Sequence, residues 1–313
     1  MTPSTRTPLA RLVTCTTRGL ALVVPAVLAV GLLAVGSGTS GTTDDLVPAA
    51  AALSGAGRPA AYNTGVPKNL KLRVHRGNLT ITRAGTKIDA MDIRGFVSIK
   101  APNVTITRSI VRGGTPPRDN VGLITNYGYR NLVVRATTLK ATKQTVWVDG
   151  IKGSNFTLDK VHVSGNVDSV KIQGDNVKIT RSLLEDTVYW KSDPFQGGGP
   201  THNDNIQIQK GRNITIARNT IRGAQNFAIL GAASIGNTPN LKVLDNWVDG
   251  GHCTVKLETR KSYALRATVT GNVFGPNRKV QSCPMVATST ATVSAANNLL
   301  DSGDPVRVQR WDG

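Results

Sequence analysis

The chain has 313 residues, 38 Lys and Arg against 19 Asp and Glu, a formal net charge of +19 and only 4% aromatic side chains. That length carries a substantial core in one elongated domain, and a chain this basic attracts polyanions such as uronate polymers, wall polymers or nucleic acid. No helix–turn–helix, zinc-ligand spacing, phosphate loop or nucleophile elbow is present, so nucleic acid rests on charge alone and is not expected as a partner.

Arg6, Arg11 and Arg18 precede the apolar run Leu20 to Val35, and no acidic residue appears before Asp44. This pattern predicts a secretory signal over residues 1–40, since the run is short for a spanning helix. A flexible Gly/Ala/Ser/Thr-rich segment follows over 41–58, then one domain over 59–313. The mature chain is expected outside the cell or held at its surface, as a monomer with no stable membrane span. Cys15 leaves with the signal, and Cys253 and Cys283 remain in an oxidising compartment.

A phrase then recurs: Asn, alternating apolar and Thr-rich positions, two polar residues, Ser or Asn, and a branched apolar residue. Clear copies start at Asn103, Asn131, Asn155, Asn176, Asn213 and Asn240, at intervals of 28, 24, 21, 37 and 27 residues. Apolar alternates such as Val104 and Ile106, or Ile214 and Ile216, have strand periodicity. A second strand flanks each copy, as in Asp168-Ser-Val-Lys-Ile and Asp204-Asn-Ile-Gln-Ile. Stacked units of this size with short strands predict an all-β, single-domain, right-handed parallel β-helix of about 8–10 turns, with Asn stacking on Asn at the turns.

With phrases such as Asp89–Gly95 and His202–Gln207, residues 75–313 resemble the secreted right-handed β-helix proteins of the pectate-lyase-like superfamily, of the kind common in actinobacteria. The resemblance implies a carbohydrate-active protein. Its lyases neutralise a uronate carboxylate with Ca²⁺ or with basic and amide groups, and abstract a proton with Lys, Arg, His or Tyr. Its polygalacturonases carry catalytic aspartates at strand starts on successive turns, but their Arg-x-Lys and Gly-His-Gly elements are missing here.

Aligning the second strands places Asp149, Asp168, Asp204, Asn226, Cys253, Cys283 and Asp304 in one column. Cys253 and Cys283 then lie one turn apart, roughly 4.8 Å, within reach of a disulfide. Asp149, Asp168 and Asp204 stack as a carboxylate row or serve as turn-bonding residues. Beside them Lys152, Lys171, Gln207, Lys256 and Arg307 face outward as a basic and amide ladder. Lys171 is the candidate base, its pKa lowered by cations such as Lys152.

The interval of 37 residues inserts about a dozen, with Tyr189, Trp190 and Phe195 in a chain poor in aromatics. Long loops on a rigid repeat gather sites, and this one ends at His202 and Asp204. The expected catalytic set is Asp168, Lys171, His202, Asp204 and Tyr189. Lys152, Trp190, Phe195, Gln207, His162 and Asp149 are expected to bind substrate, and Asp168 and Asp204 are the one candidate pair for Ca²⁺. The favoured function is a polysaccharide lyase acting on an anionic polysaccharide. The alternatives are a glycoside hydrolase with paired aspartates and a non-catalytic binder of a cell-wall glycan.

Overall fold

A computed structural model describes residues 57–260 and 262–312. The expected export signal and all but the last two residues of the expected flexible segment lie outside the described residues. Among the described residues no helix is long and apolar enough to cross a membrane.

The chain winds as a right-handed parallel β-helix with three sheets of ten, ten and nine strands. One turn contributes one short strand to each. In the middle of the tube, for example, His162–Ser164 belongs to the first sheet, Val170–Gln173 to the second and Val177–Thr180 to the third. Each strand pairs in parallel with its counterparts one turn away, as in Val170 with Ile151 on one side and Ile206 on the other. The alternation read from the sequence accounts for this. Val104, Ile106, Ile151, Val170, Ile206, Ile214 and Ile216 are fully buried and fill the tube, so no turn buries its apolar face without a neighbour.

Two asparagine ladders run along the tube. The phrase-initial ladder is exposed: Asn131 donates to Asn103, Asn176 to Asn155 and Asn213 to Asn176, at 3.0–3.1 Å. Asn103, Asn131, Asn155, Asn176 and Asn213 have φ between 56° and 61°, a left-handed turn that Asn tolerates better than most residues. The second ladder is buried. The Nδ2 groups of Asn219, Asn246 and Asn272 each donate at 2.9 Å to the amide oxygen of the next asparagine, ending at Asn298. Each of those oxygens also takes the backbone N–H of the previous turn.

Cys253 and Cys283 form the expected disulfide, with Cα atoms 4.9 Å apart. Two members of the aligned column are displaced. Phe227, not Asn226, is in register with Asp204. Asp304 and Arg307 precede the last strand of the second sheet, Gln309–Trp311, in which Gln309 pairs with Val286. Asp304 instead sits in a turn, its carbonyl accepting from the Leu300 N–H. Counting back along that register, Val306 and not Asp304 falls opposite Cys283, so the column is displaced by two residues there.

Residues 58–66 cross the outside of the first sheet. Arg58 lies over the Trp247 ring, 4.5 Å from its centroid, so the end of the segment expected to be flexible is packed on the tube. Gly65 donates to Lys160 O at 2.8 Å and Val66 to Thr138 Oγ1 at 3.0 Å. A Cβ on Gly65 would stand 2.5 Å from Thr138 Oγ1 and 2.9 Å from His162 Cβ, so only glycine lets the strap approach this closely.

Candidate functional site

The outward face of the second sheet carries a cleft of about 320 Å³. Its floor comes from three successive strands, Val148–Gly153, Val170–Gln173 and Asp204–Lys210. Lys152, Lys171 and Gln207 stand in register across them, because residues next to the inward Ile151, Val170 and Ile206 must point out.

The long loop forms one wall. Its base is pinned where Trp190 and Thr201 exchange bonds, the Thr201 N–H to Trp190 O at 2.9 Å and the Trp190 N–H to Thr201 Oγ1 at 3.0 Å. Its tip is a single 3-10 turn, Pro194–Gln196, capped by the buried Asp193, which accepts the Phe195 N–H at 2.9 Å. This folds Phe195 back onto Trp147, with ring centroids 4.6 Å apart in an edge-to-face arrangement, while half of Phe195 stays exposed to the cleft.

Beneath the cleft, three aspartates stitch four turns together. Asp149 Oδ1 accepts the Asp168 N–H at 3.2 Å, Asp168 Oδ1 the Asp204 N–H at 2.9 Å and Asp204 Oδ1 the Phe227 N–H at 3.0 Å. The row and the turn-bonding reading are therefore both realised in the same residues. Lys171 Nζ closes on Asp149 Oδ2 at 3.0 Å and Asp168 Oδ2 at 2.9 Å. Asn120 links this group to the rim: its Nδ2 donates to Asp149 Oδ2, and its Oδ1 accepts from Lys152 Nζ, each at 2.8 Å.

These contacts reverse one expectation. Burial disfavours the Lys171 ammonium, but Asp149 and Asp168 outweigh it and hold the pKa well above the ordinary lysine value. Lys171 stays charged and is no base near neutrality. Lys152 is the amine whose pKa is lowered, first by burial, with Lys171 nearby adding to it against the pull of Asp149. Burial likewise pushes Asp168 up to about 6, against the opposing pull of Lys171. Asp204 is raised well above the ordinary aspartate value by burial and by Asp168.

Of the residues singled out from sequence, Lys152, Asp168, Lys171, Phe195, His202 and Gln207 meet in this cleft. Asp204 lies just behind it, completely buried, its Oδ2 3.4 Å from Gln207 Nε2. Asp149 is also completely buried and its oxygens are taken by protein donors, which leaves it no face for substrate. Tyr189 and Trp190 are about half exposed on the loop but do not line the cleft. His162 belongs to the first sheet, where its Nε2 meets Glu185 at 2.8 Å and Arg222 holds the other carboxylate oxygen. Its position one turn earlier in sequence had suggested otherwise, but it lies on a different side of the tube.

Asp168 and Asp204 do not fit Ca²⁺. Both Asp168 oxygens and Asp204 Oδ1 already accept protein N–H groups, and the Lys171 ammonium supplies the positive charge beside Asp168. Among the described residues no three His, Cys, Asp or Glu side chains cluster as a metal set. Sequence reasoning missed Asn120 and the Gln173–Gln209 pair, joined at 2.8 Å. Extending the alignment one strand back, where Gly122 pairs with Asp149, would have brought Asn120 to the rim.

No protein-family model, no curated protein and no solved structure matches this chain.

Proposed function

We propose that this is a secreted polysaccharide lyase, cleaving a uronate-containing polymer by β-elimination in the second-sheet cleft. The observation that carries the reading is Lys152: a half-buried amine with a lowered pKa, held at the rim by Asn120 and beside the fixed charge of Lys171. An amine with a depressed pKa is suited to take the proton next to a carboxylate carbon. Lys171 with Gln207 forms the positive and amide floor for the substrate carboxylate. Phe195 offers a half-exposed ring to a sugar, and in this reading His202, which lines the cleft, protonates the leaving oxygen. The disulfide suits an oxidising compartment, which supports export.

A second reading, a glycoside hydrolase, is favoured by one observation: burial raises both Asp168 and Asp204, and a carboxyl kept protonated is what a general acid requires. One assay separates the readings. Incubation with uronate polymers gives a new ultraviolet absorbance from the unsaturated product if the protein is a lyase. Lys152→Ala then lowers that rate by roughly a hundredfold or more while the circular dichroism is unchanged. New reducing ends without the absorbance select the hydrolase, and binding with neither product selects a non-catalytic glycan binder.

A further inference from the structure

The cleft does not end at Lys152. Towards earlier turns the same sheet face continues into a second concavity of about 450 Å³, which shares Asn120, Lys152 and Gln173 with the first. The two lobes differ in the basic side chains that line them. The first gathers Lys152, Lys171 and His202 around Asp168 and Asp193. The second adds no cation of its own: its further polar side chains are Asp119, Thr125, Asn126, Tyr127 and Ser154. Lys152, the one amine lining it, is engaged by Asn120 through both its carbonyl, at 3.2 Å, and its side-chain oxygen, at 2.8 Å.

A uronate carboxylate in the second lobe would face exposed Asp119, while Lys100 does not line the lobe and lies instead over the Tyr127 ring, an unfavourable arrangement. An uncharged sugar meets no such penalty. Its hydroxyls find Thr125 and Ser154, and its apolar face finds Tyr127, which is 61% exposed with Lys100 Nζ 5.9 Å from the ring centroid. An aromatic side chain with a polar tip suits a sugar ring in this way. Thr125 in the second lobe is in register with Lys152 on the next strand, and adjacent strands lie about 4.8 Å apart, a step on the scale of one sugar residue.

We infer that the second lobe is the subsite for an uncharged sugar next to the reacting uronate, so that the substrate alternates acidic and neutral residues. This rests on the lyase reading above. The test compares kcat/KM, by ultraviolet absorbance, on polygalacturonate and on a polymer alternating glucuronate with N-acetylglucosamine. The alternating polymer is expected to be preferred at least tenfold. Tyr127→Ala should remove most of that preference, and Asp119→Asn should narrow it by improving the homopolymer. Equal use of both polymers, unaffected by either substitution, overturns the subsite and leaves the lyase reading standing. Unsaturated product from neither polymer overturns both.

Discussion

Lys171, on the strand Val170–Gln173, and Asp168, three residues before it, form an ion pair of 2.9 Å that is almost sealed from solvent, with side chains 14% and 1% exposed. Asp149 completes the group from the previous turn. Breaking such a group by removing one partner leaves an uncompensated buried charge, which costs more than the intact pair contributes.

Lys171→Met should therefore destabilise the protein by about 3–5 kcal/mol, read from the urea midpoint. Lys152→Met, whose amine touches only Asn120 at the rim, should cost much less. Similar losses for both would contradict the distinction between a buried structural lysine and a rim lysine.

The pH dependence has a definite sign. The folded-state pKa of Asp168 is raised to about 6, so the native state holds this proton more tightly than the unfolded chain. The associated stability is complete below about 3.9, the usual aspartate value, and is lost as pH rises through about 6, on the order of 2–3 kcal/mol. Asp204, raised by burial, acts in the same direction. Glu185, held down to about 2 mainly by its bond to His162, with Arg222 adding to it, acts oppositely: its contribution is present above the usual glutamate range and fades as pH falls towards 2. Melting curves between pH 4 and 7 should show stability declining with pH, and Asp168→Asn should flatten that decline. An unchanged slope in the variant would reject the assignment.

Asn246 serves four bonds inside the tube. Its Oδ1 accepts from the Asn219 backbone N–H and Nδ2, and its Nδ2 donates to Ile216 O and Asn272 Oδ1. Asn246→Leu strands several buried groups at once, and each unsatisfied group costs about 1–3 kcal/mol. Chemical denaturation should show a larger loss than for Asn213→Leu on the exposed ladder.

The Cys253–Cys283 bond closes a loop of 30 residues, which corresponds to roughly 3–4 kcal/mol of restricted unfolded-state freedom. Reduction under native conditions, or Cys253→Ser with Cys283→Ser, should lower the melting temperature while leaving the far-ultraviolet spectrum intact. A change of only a degree would mean that the flanking turns already restrain the loop.

The fold was legible because its information is local and repeated. Alternation at Val104 and Ile106 reports burial directly, and the recurring Asn reports the left-handed turn. The Cys253–Cys283 pairing followed from register alone. The site was less legible, because it depends on distances across turns. That Lys171 keeps its proton follows from reaching two buried carboxylates at once, which spacing does not reveal; that Lys152 has the lowered pKa follows from its half-burial. Asn120 and His162 illustrate the same limit in opposite directions. One is brought to the cleft by a corner loop outside the aligned column, and the other sits one strand earlier in the same turn, on another sheet.

The strap over the first sheet bears on how this molecule comes apart. A stack of turns that touch only their neighbours can fray one rung at a time from either end. Arg58 on Trp247 and Gly65 against Thr138 instead lash non-adjacent rungs together from outside, so the rungs between them, those of the cleft included, should open together. Clipping the chain just before Thr64 would turn one sharp unfolding transition into a gradual one.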